Sequence, residues 1–128
     1  MKIVVLIARI LLGLVFVVFG ANGLRPFLPM PPPLPGLASQ FVAALAQSHY
    51  VVVIFATQLI GGILLLVNRY VPLALTILGP VIVNILCFHV FLVPRGLPLA
   101  CFVAMLWGIL FYRHRQAFAG IFVPRTMQ

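Results

Sequence analysis

Acidic residues are missing altogether: the sequence of 128 residues contains no Asp and no Glu. That absence excludes general acid–base catalysis by carboxylates from this chain alone. It also excludes the oxygen-rich calcium and magnesium sites that carboxylates build, and no side-chain salt bridge can form within one subunit. Charge of any kind is scarce, at 6% of residues, and all of it is Lys or Arg. Cysteine is equally sparse. Cys87 and Cys101 form neither a disulfide framework nor a zinc-ligand pattern, so no metal site is expected. No P-loop, dinucleotide fingerprint or catalytic triad is present.

What is present is apolar. Hydrophobic residues make up 65% of the chain, against about 45–50% in a soluble domain, which also carries about 25% charge. Such a chain cannot cover a water-facing surface with polar groups, so lipid is its natural solvent. Its length suits one domain, residues 1–128. The net charge of +8 raises the question of nucleic acid, but the basic residues do not cluster on a polar helix or sheet. No nucleic-acid partner is expected. The expected partners are the bilayer and its anionic headgroups, with each nearby cation contributing about 1 kcal/mol.

A spanning helix needs about 20 mainly apolar residues. Four segments qualify: 3–24, 50–68, 72–93 and 97–112. Runs such as VVVIFA and GGILLLV do not alternate as barrel strands do, and backbone polar groups in hydrocarbon must bond within their own segment or a closed barrel. The expected fold is therefore all-α, an integral membrane four-helix bundle. The first segment reads as a span and not a cleaved signal, because Arg9 interrupts its apolar run. The last segment is the shortest and would need the bilayer to thin locally.

The connections differ in character. Residues 25–35 (RPFLPMPPPLP) are extended, since proline fixes φ and lacks an N–H. The following stretch, 36–48, places Leu37, Phe41, Ala44, Leu45 and Ser48 at helical spacing. That predicts a short amphipathic helix at the membrane interface in the first external loop. NRYVP and PRGLP are tight links that make neighbouring helices antiparallel. Gly79-Pro80 predicts a kink in the third span. Residues 117–123 are expected on the membrane surface. Six cations (Lys2, Arg9, Arg69, Arg113, Arg115 and Arg125) fall on one side of this arrangement, and Arg25 and Arg95 on the other. The positive-inside rule then puts both termini in the cytoplasm, for a protein of the cell inner membrane.

Few side chains can carry chemistry. Arg9 shares a face with Gly13, Phe16, Gly20 and Gly23. It either points into the bundle or snorkels to the headgroups. Gln58 lies at mid-depth before Gly61 and Gly62, where its amide needs a partner: another helix or a ligand. The third span carries Asn84, Cys87 and His89. His89 is a candidate hydrogen-bonding or proton-sensitive group, with axial ligation of a haem-type metal the remoter reading. Cys87 and Cys101 fall at similar depth and are either a redox pair or two small packing residues. Asn22, Gln58, Asn84, His89 and both cysteines lie in the middle or outer half of the membrane and suggest a polar pocket there.

Three stretches resemble the DoxX family of small four-helix membrane proteins. RILLGLVFVVFGANGL is similar to that family's first helix, QLIGGILLLV to its second and GPVIVNILCFHVFL to its third. The resemblance runs roughly from Arg9 to Tyr112. It implies kinship with the small subunit of a thiosulfate:quinone oxidoreductase and with thiol or oxidative-stress systems. By position, Arg9, Gly13 and Gly20 match first-helix family residues. Gln58 stands where the family usually has a glutamate; unlike that acid it can neither pair ionically with Arg9 nor carry a proton. The expectation is a ligand-binding or non-catalytic subunit of a membrane redox system, with quinone the candidate cofactor and Arg9, Gln58, Asn84 and His89 the candidate ligand contacts. The alternative is a structural or assembly partner of another membrane protein, or a homo-oligomer, without chemistry of its own. A solute channel ranks third, since no internal repeat is visible.

Overall fold

The computed structural model describes residues 2–29 and 32–126. Within them every regular element is helical. Five α-helices occur in order, α1 (Lys2–Leu24), α2 (Gly36–Gln47), α3 (Tyr50–Leu66), α4 (Val71–Phe91) and α5 (Leu97–Arg113). Short 3-10 segments at Pro94–Gly96 and Arg115–Phe122 precede and follow α5. Helix boundaries fall within two residues of those the hydropathy pattern predicts, because the chain leaves helix only where Pro, Gly or a polar cluster allows.

Three helical units are each long and apolar enough to cross a membrane: α1, α4 and the stretch Pro94–Arg113. A fourth candidate is α3 taken with α2, a pair bent by 85° at their junction. As helices, α3 and α5 are each 17 residues long. The 3-10 turn at Pro94 lengthens the last unit to 20 residues.

The long helices pack in a closed order, α1 on α3, α3 on α4, α4 on α5 and α5 back on α1. The core between them holds Leu12, Phe16, Leu65, Leu75, Leu78 and Leu110, each essentially without exposed surface. The α1–α3 contact is the closest. A methyl group at Gly20 would stand 2.8 Å from the Leu59 backbone nitrogen, and one at Gly62 would stand 2.9 Å from the Gly13 carbonyl oxygen. Small residues on both faces let the two backbones approach, as membrane helices require when no hydrophobic drive separates protein from lipid. The face Arg9–Gly13–Phe16–Gly20 read from sequence is the face that packs here.

The link from α3 to α4 is held by a complete set of hydrogen bonds. A helix ends with four unpaired carbonyls. Here Val67 N–H donates to Ile63 O, Arg69 N–H to Leu64 O and Asn68 N–H to Leu65 O. This is a Schellman-type close, with Asn68 in the left-handed region at φ 58°. Arg9 completes the set: its Nη1 donates to Leu65 O, and to Leu66 O at 3.2 Å.

The sequence places a kink at Pro80, which lies inside α4. Proline supplies no N–H to the preceding turn. In that turn the indole Nε1 of Trp107 donates across to Leu75 O at 2.9 Å, tying α5 to α4. Helix α2 is present, but its buried residue is Ala38, whereas Leu37 is 69% exposed. Its Phe41 ring meets Phe88 of α4 with centroids 5.9 Å apart.

Candidate functional site

A cavity of about 210 Å³ opens between α1, α3, α4 and α5. At about 30 Å³ per water it has room for a small ring. Its walls are apolar, with Phe16, Phe19, Ile85 and Val103 among them, and two polar side chains enter it, Gln58 and His89. By helix direction, this level is the half of the molecule away from Lys2 and Arg69.

Gln58 is only 6% exposed. It is held by α3, whose Gly61 lets Leu78 of α4 come close. Its amide forms no protein hydrogen bond among the described residues, yet no fully enclosed side-chain polar atom is left unpaired. The two facts agree if the amide is open to the cavity, as its place in the lining requires. An unmade hydrogen bond of this kind costs about 1–3 kcal/mol in an apolar interior, so the amide presents both a donor and an acceptor to whatever enters.

His89 is fixed from two sides. Its Nδ1 lies 3.1 Å from Val93 O. A carbonyl only accepts, so Nδ1 carries the hydrogen and Nε2 of the neutral ring is an acceptor. The ring packs against the 3-10 turn: a methyl group at Gly96 would stand 2.2 Å from His89 Cε1. Phe88 meets the ring edge-on at 5.3 Å. Gly96 was legible in the sequence only as part of a tight turn; nothing in PRGLP announced that its missing side chain seats a histidine seven residues earlier.

The remaining candidates do not gather at this cavity. Arg9 is bound to the C-terminal carbonyls of α3, about 10 Å further along that helix than Gln58 at about 1.5 Å per residue. It neither snorkels freely nor reaches position 58. Its cation offsets the negative end of the α3 dipole, which needs no acidic partner. Asn84 is exposed and turns back on its own helix, Nδ2 donating to Pro80 O at 2.8 Å. Asn22 closes the α1 end, its Oδ1 accepting from Phe27 and Leu28 N–H. Cys87 and Cys101 are both free and exposed. The polar pocket expected from six groups therefore contains two of them. No group of metal-ligating side chains occurs among the described residues.

Comparison with known proteins returns no matching family model, no matching curated protein and no matching solved structure.

Proposed function

We propose that this chain is a DoxX-like, four-crossing bundle of the cell inner membrane that binds a small lipid-soluble ligand as a subunit of a membrane redox system. The quinone class fits best: a flat apolar ring with carbonyls at its edge suits aromatic and aliphatic walls with two isolated polar groups. The observation that carries this reading is the Gln58 amide, almost fully buried and without a protein partner among the described residues, in a cavity whose lining also includes His89. Gln58 donates to a ligand carbonyl. His89 accepts from a ligand hydroxyl, the group a quinone acquires on reduction. In this reading the chain supplies the berth and electrons come from a partner subunit.

In this reading α3 crosses the bilayer alone, at the short end of the about 17–25 residue range, and α2 lies on the outer interface with Leu37 and Phe41 toward lipid. Lys2 and Arg125 are cytoplasmic. A second reading, an assembly partner without chemistry, is favoured by a different feature, an apolar cleft of about 340 Å³ between α4 and α5 lined by Gly79, Val83 and Trp107. Purification from native membranes in mild detergent, with mass spectrometry of bound proteins and small molecules, separates the two. Co-purified quinone that is lost in Gln58→Leu supports the first. A protein partner with no lipid-soluble cofactor and no quinone affinity removes it in favour of the second.

A further inference from the structure

The segment after α5 does something its composition alone does not require. Phe118 is buried, 6% exposed, and its ring stands 4.9 Å from Phe111, which stacks on Trp107 at 5.1 Å. The stack folds the segment back on the end of α5. Having buried one aromatic, the segment then leaves three consecutive apolar side chains outside: Ile121, Phe122 and Val123 are 67%, 71% and 51% exposed. Arginines bracket this trio. Arg113, Arg115 and Arg125 are all exposed, and the sequence holds no Asp or Glu side chain to neutralise them. Arg115 is already oriented. Its Nη1 donates to Tyr112 O at 2.7 Å and its guanidinium lies 4.3 Å from the Tyr112 ring centroid. One of its five N–H donors is thereby used and the others remain for an anion.

We infer that residues 113–125 form a site for an anionic phospholipid, whose phosphate meets Arg113, Arg115 and Arg125 and whose acyl chains lie along Ile121, Phe122 and Val123. Each half of the site explains the other. An exposed apolar trio is unfavourable in water and favourable in the acyl boundary of a bilayer, and arginines bind phosphate through planar forks. The site lies at the opposite end of the molecule from the Gln58 cavity and does not depend on its ligand.

The single tryptophan of the chain supplies the assay. Trp107 is part of the stack that Phe118 joins, so bromine-labelled lipids bound beside the segment quench its emission. The full-length protein is reconstituted in phosphatidylcholine vesicles containing increasing brominated phosphatidylglycerol, and in a parallel series with brominated phosphatidylcholine. Quenching is expected at lower fractions of the anionic lipid. That preference is expected to fall about fivefold for each of Arg113→Gln, Arg115→Gln and Arg125→Gln, the factor matching about 1 kcal/mol per basic residue at an anionic surface. Phe122→Ser is expected to weaken quenching by both lipids while keeping the anionic preference. Each variant is checked for unchanged Trp107 emission in unlabelled phosphatidylcholine, and the single substitutions test the site even if one of them fails to fold. Equal quenching by the two lipids, or a preference that survives all three Gln substitutions, overturns the inference.

Discussion

Gln58 and Asn84 are both amides in apolar helices, and hydropathy cannot tell them apart. Their surroundings can. Asn84 spends its N–H on Pro80 O and faces outward, whereas Gln58 faces inward with its capacity unused. Gln58→Leu is therefore expected to weaken binding of a short-chain benzoquinone by about tenfold, the loss of one hydrogen bond of about 1–1.5 kcal/mol. Asn84→Leu is expected to leave it unchanged, and isothermal titration in detergent distinguishes the two. Equal losses in both variants would detach ligand binding from the cavity. At the end of α5 another residue carries a pH signature. Burial first, and Arg113 second, push the His114 pKa below its ordinary 6.5. A base whose folded pKa is depressed is stabilising in its neutral form. That contribution is complete above 6.5 and is lost as pH falls below it toward the folded value. The thermal midpoint is expected to drop on acidification through this window, and His114→Gln to lack that part of the drop.

Among the elements, α3 is the one whose stability depends on a distant side chain. Its C-terminal carbonyls are closed by three backbone donors and by Arg9 from α1. Removing the guanidinium leaves Leu66 O without a protein partner and Leu65 O with only the Asn68 N–H, so Arg9→Met is expected to cost about 1.5–3 kcal/mol, the range for hydrogen bonds to charged groups. Arg9→Lys recovers the charge at the helix end but not the planar, preorganised donor, and falls between. Unfolding in a mixed-detergent titration measures both. A ligand-contact role for Arg9 would instead leave stability unchanged and lower binding. The elements themselves were largely legible in the sequence, since α1, α4 and α5 follow from apolar runs punctuated by Gly, Pro and Arg. The site was only half legible. Sequence assigned Gln58 and His89 to the middle or outer half of the membrane, but it grouped Asn84 and Asn22 with them, because depth along a helix can be counted and rotation about it needs the packing partner. It also missed Gly96 and Trp107. The first acts by lacking a side chain, and the second bonds Leu75 O in the turn before Pro80, a pairing across helices that no local pattern encodes.

For the whole molecule, charge sets direction while packing sets shape. Arg9 reaching the end of α3 places the start of α1 beside the α3–α4 turn. The segment after α5 lies at that same end, because α5 runs antiparallel to α4, with Trp107 beside Leu75 and Gly79. Six cations thus share one end and Arg25 and Arg95 the other. In the orientation proposed above the crowded end is the cytoplasmic one, and the Gln58 cavity then falls in the outer half, toward the outer leaflet. Single reporters test this with Cys87 and Cys101 changed to Ser. Ser48→Cys, at the exposed break between α2 and α3, is expected to react with an impermeant maleimide in intact cells. Asn68→Cys, in the α3–α4 turn, is expected to react only after permeabilisation. Because both positions are exposed in the fold, the contrast reads sidedness and not burial. The reverse pattern would turn the molecule over, placing the arginine-rich segment outside and opening the cavity from the cytoplasmic leaflet.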